Sequence, residues 1–151
     1  MTYIARPTYA TDTTNVVRFI NDELAKVARE TVGQTQGTWT PALTVGAGSV
    51  TISSASGDYV QIGNLMHISG TIQLSASSAT GTIDITGLPI AQVIGRGVIP
   101  FRYENLTGAS AGVMGYVDDR KIRVQAMTAT GATNPTLTNS TLLEFSGSYL
   151  V

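Results

Sequence analysis

The groups with which this chain could move a proton or hold a metal are few. Beyond residue 37 they are His67 and six carboxylates: Asp58, Asp84, Glu104, Asp118, Asp119 and Glu144. His67 is the single histidine and stands in the middle of an alternating run, which reads as a surface or interface residue rather than a catalytic base. Glycoside hydrolysis needs two carboxylates facing each other across a sugar. Asp118 and Asp119 are chain neighbours, so in a strand they point to opposite faces and in a tight turn they face solvent. Asp84 and Glu144 fall on outward positions of their runs. No pair is marked by its spacing. The G-x-S-x-G elbow of a serine hydrolase is missing. The glycines of "GRGV" (95–98) and "GLP" (87–89) mark turns, with no following helix to hold a phosphate. There is no cysteine, which excludes thiolate catalysis, disulfides and cysteine metal sites. Asp118 and Asp119 could form the corner of a calcium site, but a hairpin turn is the simpler reading. The expectation is a chain without catalytic, cofactor or metal residues, and not an enzyme. "NLT" (105–107) and "NST" (139–141) match the N-glycan acceptor triplet, which has meaning only in a eukaryotic secretory protein.

What must position these groups is one domain's worth of chain. The 151 residues carry nine basic and ten acidic side chains, a net charge of −1, and no electrostatic footprint for nucleic acid or an anionic membrane. No apolar run approaches the roughly 20 residues of a membrane span. The first residues lack the basic-then-apolar layout of a signal peptide. A role outside the cell therefore implies release within an assembled particle.

Residues 1–12 show no periodicity. Tyr3, Ile4 and Tyr9 are apolar for a free tail and suit an extended arm that orders on a partner; a frayed terminus is the alternative. Residues 13–33 read as a helix, capped by Asp12 or Thr13 and stopped by Gly33. Val17, Ile20, Leu24 and Val27 are spaced three, four, three, an a/d seam of about two heptads. So short a helix is marginal alone, so its seam calls for sister copies or for its own β domain. Residues 34–37 read as a polar, flexible linker.

From residue 38 to 151 the apolar period becomes two. Met66, Ile68, Ile72 and Leu74 alternate with His67, Ser69, Thr71 and Gln73; Ile83 and Ile85 flank Asp84; Ile122 and Val124 flank Arg123. Val113, Gly115 and Val117 share a face, as do Leu143, Phe145 and Tyr149. The pattern predicts about eight or nine short strands in an antiparallel, jelly-roll-like β-sandwich. Trp39 reads as an anchor packing the domain, with Pro41 opening an edge strand. Trp39, Tyr59, Tyr103 and Tyr116 are also the aromatics that could stack on a sugar. Tyr103, before "ENLTG", is the better surface candidate.

Three segments carry a resemblance. "GTWTPALT" (37–44), "DYVQIGNLMHISGTIQL" (58–74) and "GTIDITGLPI" (81–90) resemble a module found in bacteriophage tail-fibre and related virion proteins. "GYVDDRKIRV" resembles a later hairpin of that module, and "FINDELAKVARE" the short helices that precede it. The resemblance implies a trimeric β domain on the outside of a virion and brings no catalytic residues. It lacks a long shaft or an enzymatic spike domain. On this reading Val17, Ile20, Leu24 and Val27 join the homotrimer. Tyr3, Ile4 and Tyr9 anchor the chain to other virion proteins, and Tyr103 and Asn105 are the candidate contacts to a host surface glycan. A short tail fibre is the first expectation. A capsid decoration protein is the second, and a carbohydrate-processing enzyme the third.

Overall fold

The computed structural model describes residues 18–24, 34–91 and 97–151. Residues 18–24 are helical. Gln34–Val151 form a separate compact unit. Its strands are β1 (Gln34–Trp39), β2 (Ala42–Ala47), β3 (Val50–Ile62), β4 (Leu65–Ser77), β5 (Thr80–Thr86), β6 (Val98–Thr107), β7 (Gly112–Asp118), β8 (Lys121–Thr128), β9 (Gly131–Thr133) and β10 (Thr136–Leu150).

Every pairing is antiparallel, in the order β1-β3-β4-β10-β6-β7-β8-β5-β2, with β9 on β8. This path folds into two layers over one core, the expected sandwich. Two corners join the layers. β6 pairs with β7 through Val98–Pro100 and with β10 from Phe101 onward. The switch falls beside Pro100, which has no N–H for a ladder. The other corner is Thr40-Pro41. β1 and β2 end opposite extremes of the path, yet these two residues alone join them, so the path curls back on itself. The first layer is thus β1, β3, β4, β10 and the second half of β6; the second is the start of β6 with β7, β8, β5 and β2.

The period-two residues fill the space between. Met66, Ile68, Ile72, Ile85, Ile99, Val117, Ile122, Val124 and Leu143 are fully buried. One register row across the first layer reads Trp39, Gly57, Gly70, Phe145, Phe101. The rings lie over the glycines. A Cβ on Gly70 would stand 2.4 Å from the Phe145 ring, and one on Gly57 2.4 Å from Trp39 Nε1. Phe145 meets Trp39 edge-on at 6.0 Å between centroids and Phe101 at 5.4 Å, within the range of favourable aromatic pairs.

The small motifs are punctuation for this fold. "GTWTP" is the corner. Gly63-Asn64 is the two-residue turn of the β3–β4 hairpin, with Gly63 at φ 57°. "GLP" ends β5 and buries Leu88. Asp118 pairs with Lys121 around a two-residue turn that holds Asp119 at φ 58°.

Gln34–Gly37, expected as a flexible linker, is instead the first part of β1 and pairs with Tyr59–Ile62 of β3. Its residues look like a linker because an edge strand with an exposed outer surface needs few apolar side chains, and backbone pairing holds it. The helical segment leaves Phe19, Ile20 and Leu24 exposed. Tyr3, Ile4, Tyr9, Val17 and Val27 lie outside the described residues. No helix among the described residues is long and apolar enough to cross a membrane.

Candidate functional site

The outer face of the first layer carries adjoining rows of polar side chains. In one row Asp58 lies opposite Ser69 and Ser69 opposite Ser146. In the next, Ser56 faces Thr71, Thr71 faces Glu144, and Glu144 faces Arg102. The alternation that sends Ile68, Ile72 and Phe145 inward sends all of these out. The middle of both rows is serine and threonine, whose side chains are short. The rows therefore enclose an open trough of about 500 Å³, floored by the backbone of Gly57 and Gly70 and rimmed by Arg102 and Glu144.

Arg102 bridges two carboxylates, donating from Nη1 to Glu144 across the strands and from Nη2 to Glu104 Oε1 at 2.7 Å on its own strand. Glu144 first, and Glu104 second, hold its charge more firmly than in a free arginine. One guanidinium against Glu104, Glu144 and nearby Asp58 leaves this face weakly acidic. All three groups of the ion-pair cluster are largely in solvent, so the cluster adds little to stability. It fixes where the charges stand.

One row further, His67 lies opposite Ser148. Its Nδ1 is 3.0 Å from Ser148 Oγ and its Nε2 3.3 Å from Ser146 Oγ. A serine–histidine relay requires one ring nitrogen on the nucleophile and the other on an orienting acid. Here both nitrogens meet serines. His67 and its partners lie 79 and 81 residues apart in the chain, so no local motif could announce the cluster.

The second layer holds a different cluster. Asp84 accepts two hydrogen bonds from Arg123, from Nε at 2.8 Å and Nη2 at 2.9 Å, and Lys121 Nζ lies 3.4 Å away. Tyr116 and Asp84 flank Arg123 in register on either side. The hydrogen bonds from Arg123 outweigh partial burial and hold the Asp84 carboxyl below the usual carboxylate range. Asp84 points outward as the alternation requires, but its side chain is only 12% exposed. The outward position is covered by its two cationic neighbours. This is a structural lock. Among the described residues no three metal-ligating side chains converge.

The expected glycan contacts take other places. Tyr103 is in mid-β6, half-buried against the core, so its ring is not an open stacking platform. Asn105 is exposed but occupied. Its Nδ2 donates to Ser140 O at 3.2 Å, and its backbone oxygen accepts from Thr141 Oγ1 at 2.8 Å and from Thr138 Oγ1. These bonds secure the irregularity of β10 between Leu137 and Leu142. Trp39 is buried, and Tyr59 is half-buried with its ring over Gly37.

The backbone has a counterpart of known structure. It matches the Dettilon tailspike protein (gp208) with a TM-score of 0.66 at 20% identity, over 77% of this chain and 23% of that one. The likeness is one of fold, and this chain corresponds to less than a quarter of that protein's length. No protein-family model matches the sequence, nor does any curated protein.

Proposed function

We propose that this chain is a non-enzymatic structural part of a bacteriophage virion: a short homotrimeric tail fibre, anchored to the tail by its N-terminal region. Its β-sandwich meets the host surface. The observation that supports this most is the shared fold with a tailspike over 77% of the chain. The surface chemistry agrees with it. The outer trough offers hydroxyls from Ser56, Ser69, Thr71 and Ser146 between the charged ends of Asp58, Arg102 and Glu144. Such a set can exchange hydrogen bonds with a hydroxylated ligand, and a saccharide of the host envelope has that chemistry. Each contact is weak in water, and three copies on one axis multiply it without new contacts. The helical segment supports the association. Ile20 and Leu24 stand exposed four residues apart, on one helix face.

Light scattering on the full chain tests the assembly. The expected mass is three times that of one chain, and Leu24→Asp lowers it to that of one chain. A parent protein of single-chain mass refutes the homotrimer. Pull-down on host cells and on their purified surface polysaccharide tests the trough: Ser69→Trp, which fills it, abolishes retention while the mass stays the same. Equal retention of parent and variant removes the trough from the reading.

A further inference from the structure

Five large apolar side chains of the β-sandwich are exposed among the described residues: Ile62, Leu65, Val98, Met114 and Leu150. Three of them form a single register row. Ile62 lies opposite Leu65, and Leu65 opposite Leu150, with exposures of 60%, 46% and 43%. The row closes the β3–β4 hairpin end of the first layer's outer face. It is held firmly, since the Val151 N–H donates to Asn64 O at 2.9 Å beside it. Isolated exposed leucines are ordinary, but neighbours on adjacent strands make a continuous apolar patch.

The surroundings indicate what covers it. Gln34 extends the row on β1, and the next outer row is Val60, His67 and Ser148. Neither row holds an Asp, Glu, Lys or Arg side chain. The charges of this face begin with Asp58, beyond both rows. A row of apolar side chains with no acid or base among them does not repel its own copy, and it offers little with which to select a charged partner. Three side chains also fall far short of the roughly 800 Å² per partner of a stable interface. The row cannot gather a partner from solution. It can contribute only where the partner is already held close, at an effective concentration near the millimolar range. The chain enters the sandwich at this row: Gln34, opposite Ile62, follows the segment that carries Ile20 and Leu24.

We propose that the Ile62–Leu65–Leu150 row is the surface through which the sandwiches of sister copies meet, converging on the symmetry axis of the oligomer. This rests on the homotrimer reading above and adds the residues at which the β units touch.

The chain has no cysteine, so single cysteines report the contact without background. Ile62→Cys, Leu65→Cys and Leu150→Cys are made separately, with Ala129→Cys in the exposed β8–β9 turn as the control. Each full-length variant is oxidised at low concentration, and chain-to-chain disulfides are read on a denaturing gel beside the native mass. The expected result is a trimeric mass for all four variants. At least one of the row variants is crosslinked in more than half of its chains, and Ala129→Cys in under a tenth. A trimeric mass with no row variant crosslinked beyond the control overturns the row and leaves the homotrimer standing. A single-chain mass overturns both.

Discussion

Gly70→Ala is the sharpest test of how the first layer is built. The backbone at this position is ordinary, so alanine meets no conformational barrier, and in a strand interior it is favoured over glycine by roughly 0.5–1 kcal/mol. The neighbour decides the sign. The new Cβ would stand 2.4 Å from Cζ of Phe145, which is 4% exposed and has Trp39 and Phe101 on either side. Forcing that ring aside brings an overpacking cost of about 1–3 kcal/mol. It also weakens two aromatic contacts worth about 0.5–1.5 kcal/mol each. The sum, less the propensity gain, is a loss of about 3 kcal/mol. For a unit of about 120 residues this lowers Tm by roughly 12 °C. In a Phe145→Leu background the ring is gone, and the same Gly70→Ala change becomes neutral or slightly stabilising. The assay is urea unfolding of all four proteins, followed by the fluorescence of the single tryptophan, Trp39, which sits in this row. A cost below about 0.5 kcal/mol in the parent, or an equal cost in both backgrounds, refutes the ring-over-glycine account.

Three further outcomes follow from the same geometry. Asp84→Asn removes the acceptor of a two-pronged arginine contact and destabilises by about 2 kcal/mol at pH 7. Because the folded carboxyl is held below its unfolded value, the contribution is complete above about pH 4. It fades as the pH falls through the folded value, so the difference between parent and variant shrinks on acidification below about pH 4. Thr141→Val leaves the part-buried Thr138 N–H and Asn105 oxygen without the buried hydroxyl they meet at 2.8 Å, a loss of about 1 kcal/mol by thermal melting. Burial pushes the Tyr149 hydroxyl, which donates to Ile90 O at 2.9 Å, up to about 12. Of six tyrosines, this one ionises late in a phenolate absorbance titration. The stability it lends is intact below pH 10 and is lost as the pH rises to about 12. Tyr149→Phe removes that late step.

The inward faces of the strands were plain in the sequence, because a half-buried strand writes its burial with period two. Met66 to Leu74, Ile83 and Ile85, and Ile122 and Val124 are all buried as the alternation requires. Strand order was not legible. β10 enters between β4 and β6, and its pairing with β4 through Leu142–Leu150 reaches across more than 60 residues, which no local pattern encodes. The same limit hid the site. The trough exists because Ser56, Ser69, Thr71 and Ser146 from three strands fall side by side, and each serine alone is unremarkable. Asp84 looked solvated because alternation tells direction and not cover; Arg123 and Lys121 on the next strand supply the cover. Tyr103 and Asn105 looked like loop residues because "ENLTG" is rich in turn formers. Tyr103 in fact pairs regularly with Leu143, and Asn105 lies at a strand irregularity, where it adopts φ 53° and its carbonyl takes up the Thr141 hydroxyl.

The role proposed for this chain turns on where it sits and in how many copies. An electron cryo-microscopy map of the phage particle that carries it measures both. The expected density is the two-layer sandwich in groups of three about a common axis on the tail, with the Ile62–Leu65–Leu150 end of the first layer nearest the axis. Density for it spread over the capsid shell, or single unpaired sandwiches on the tail, contradicts the account.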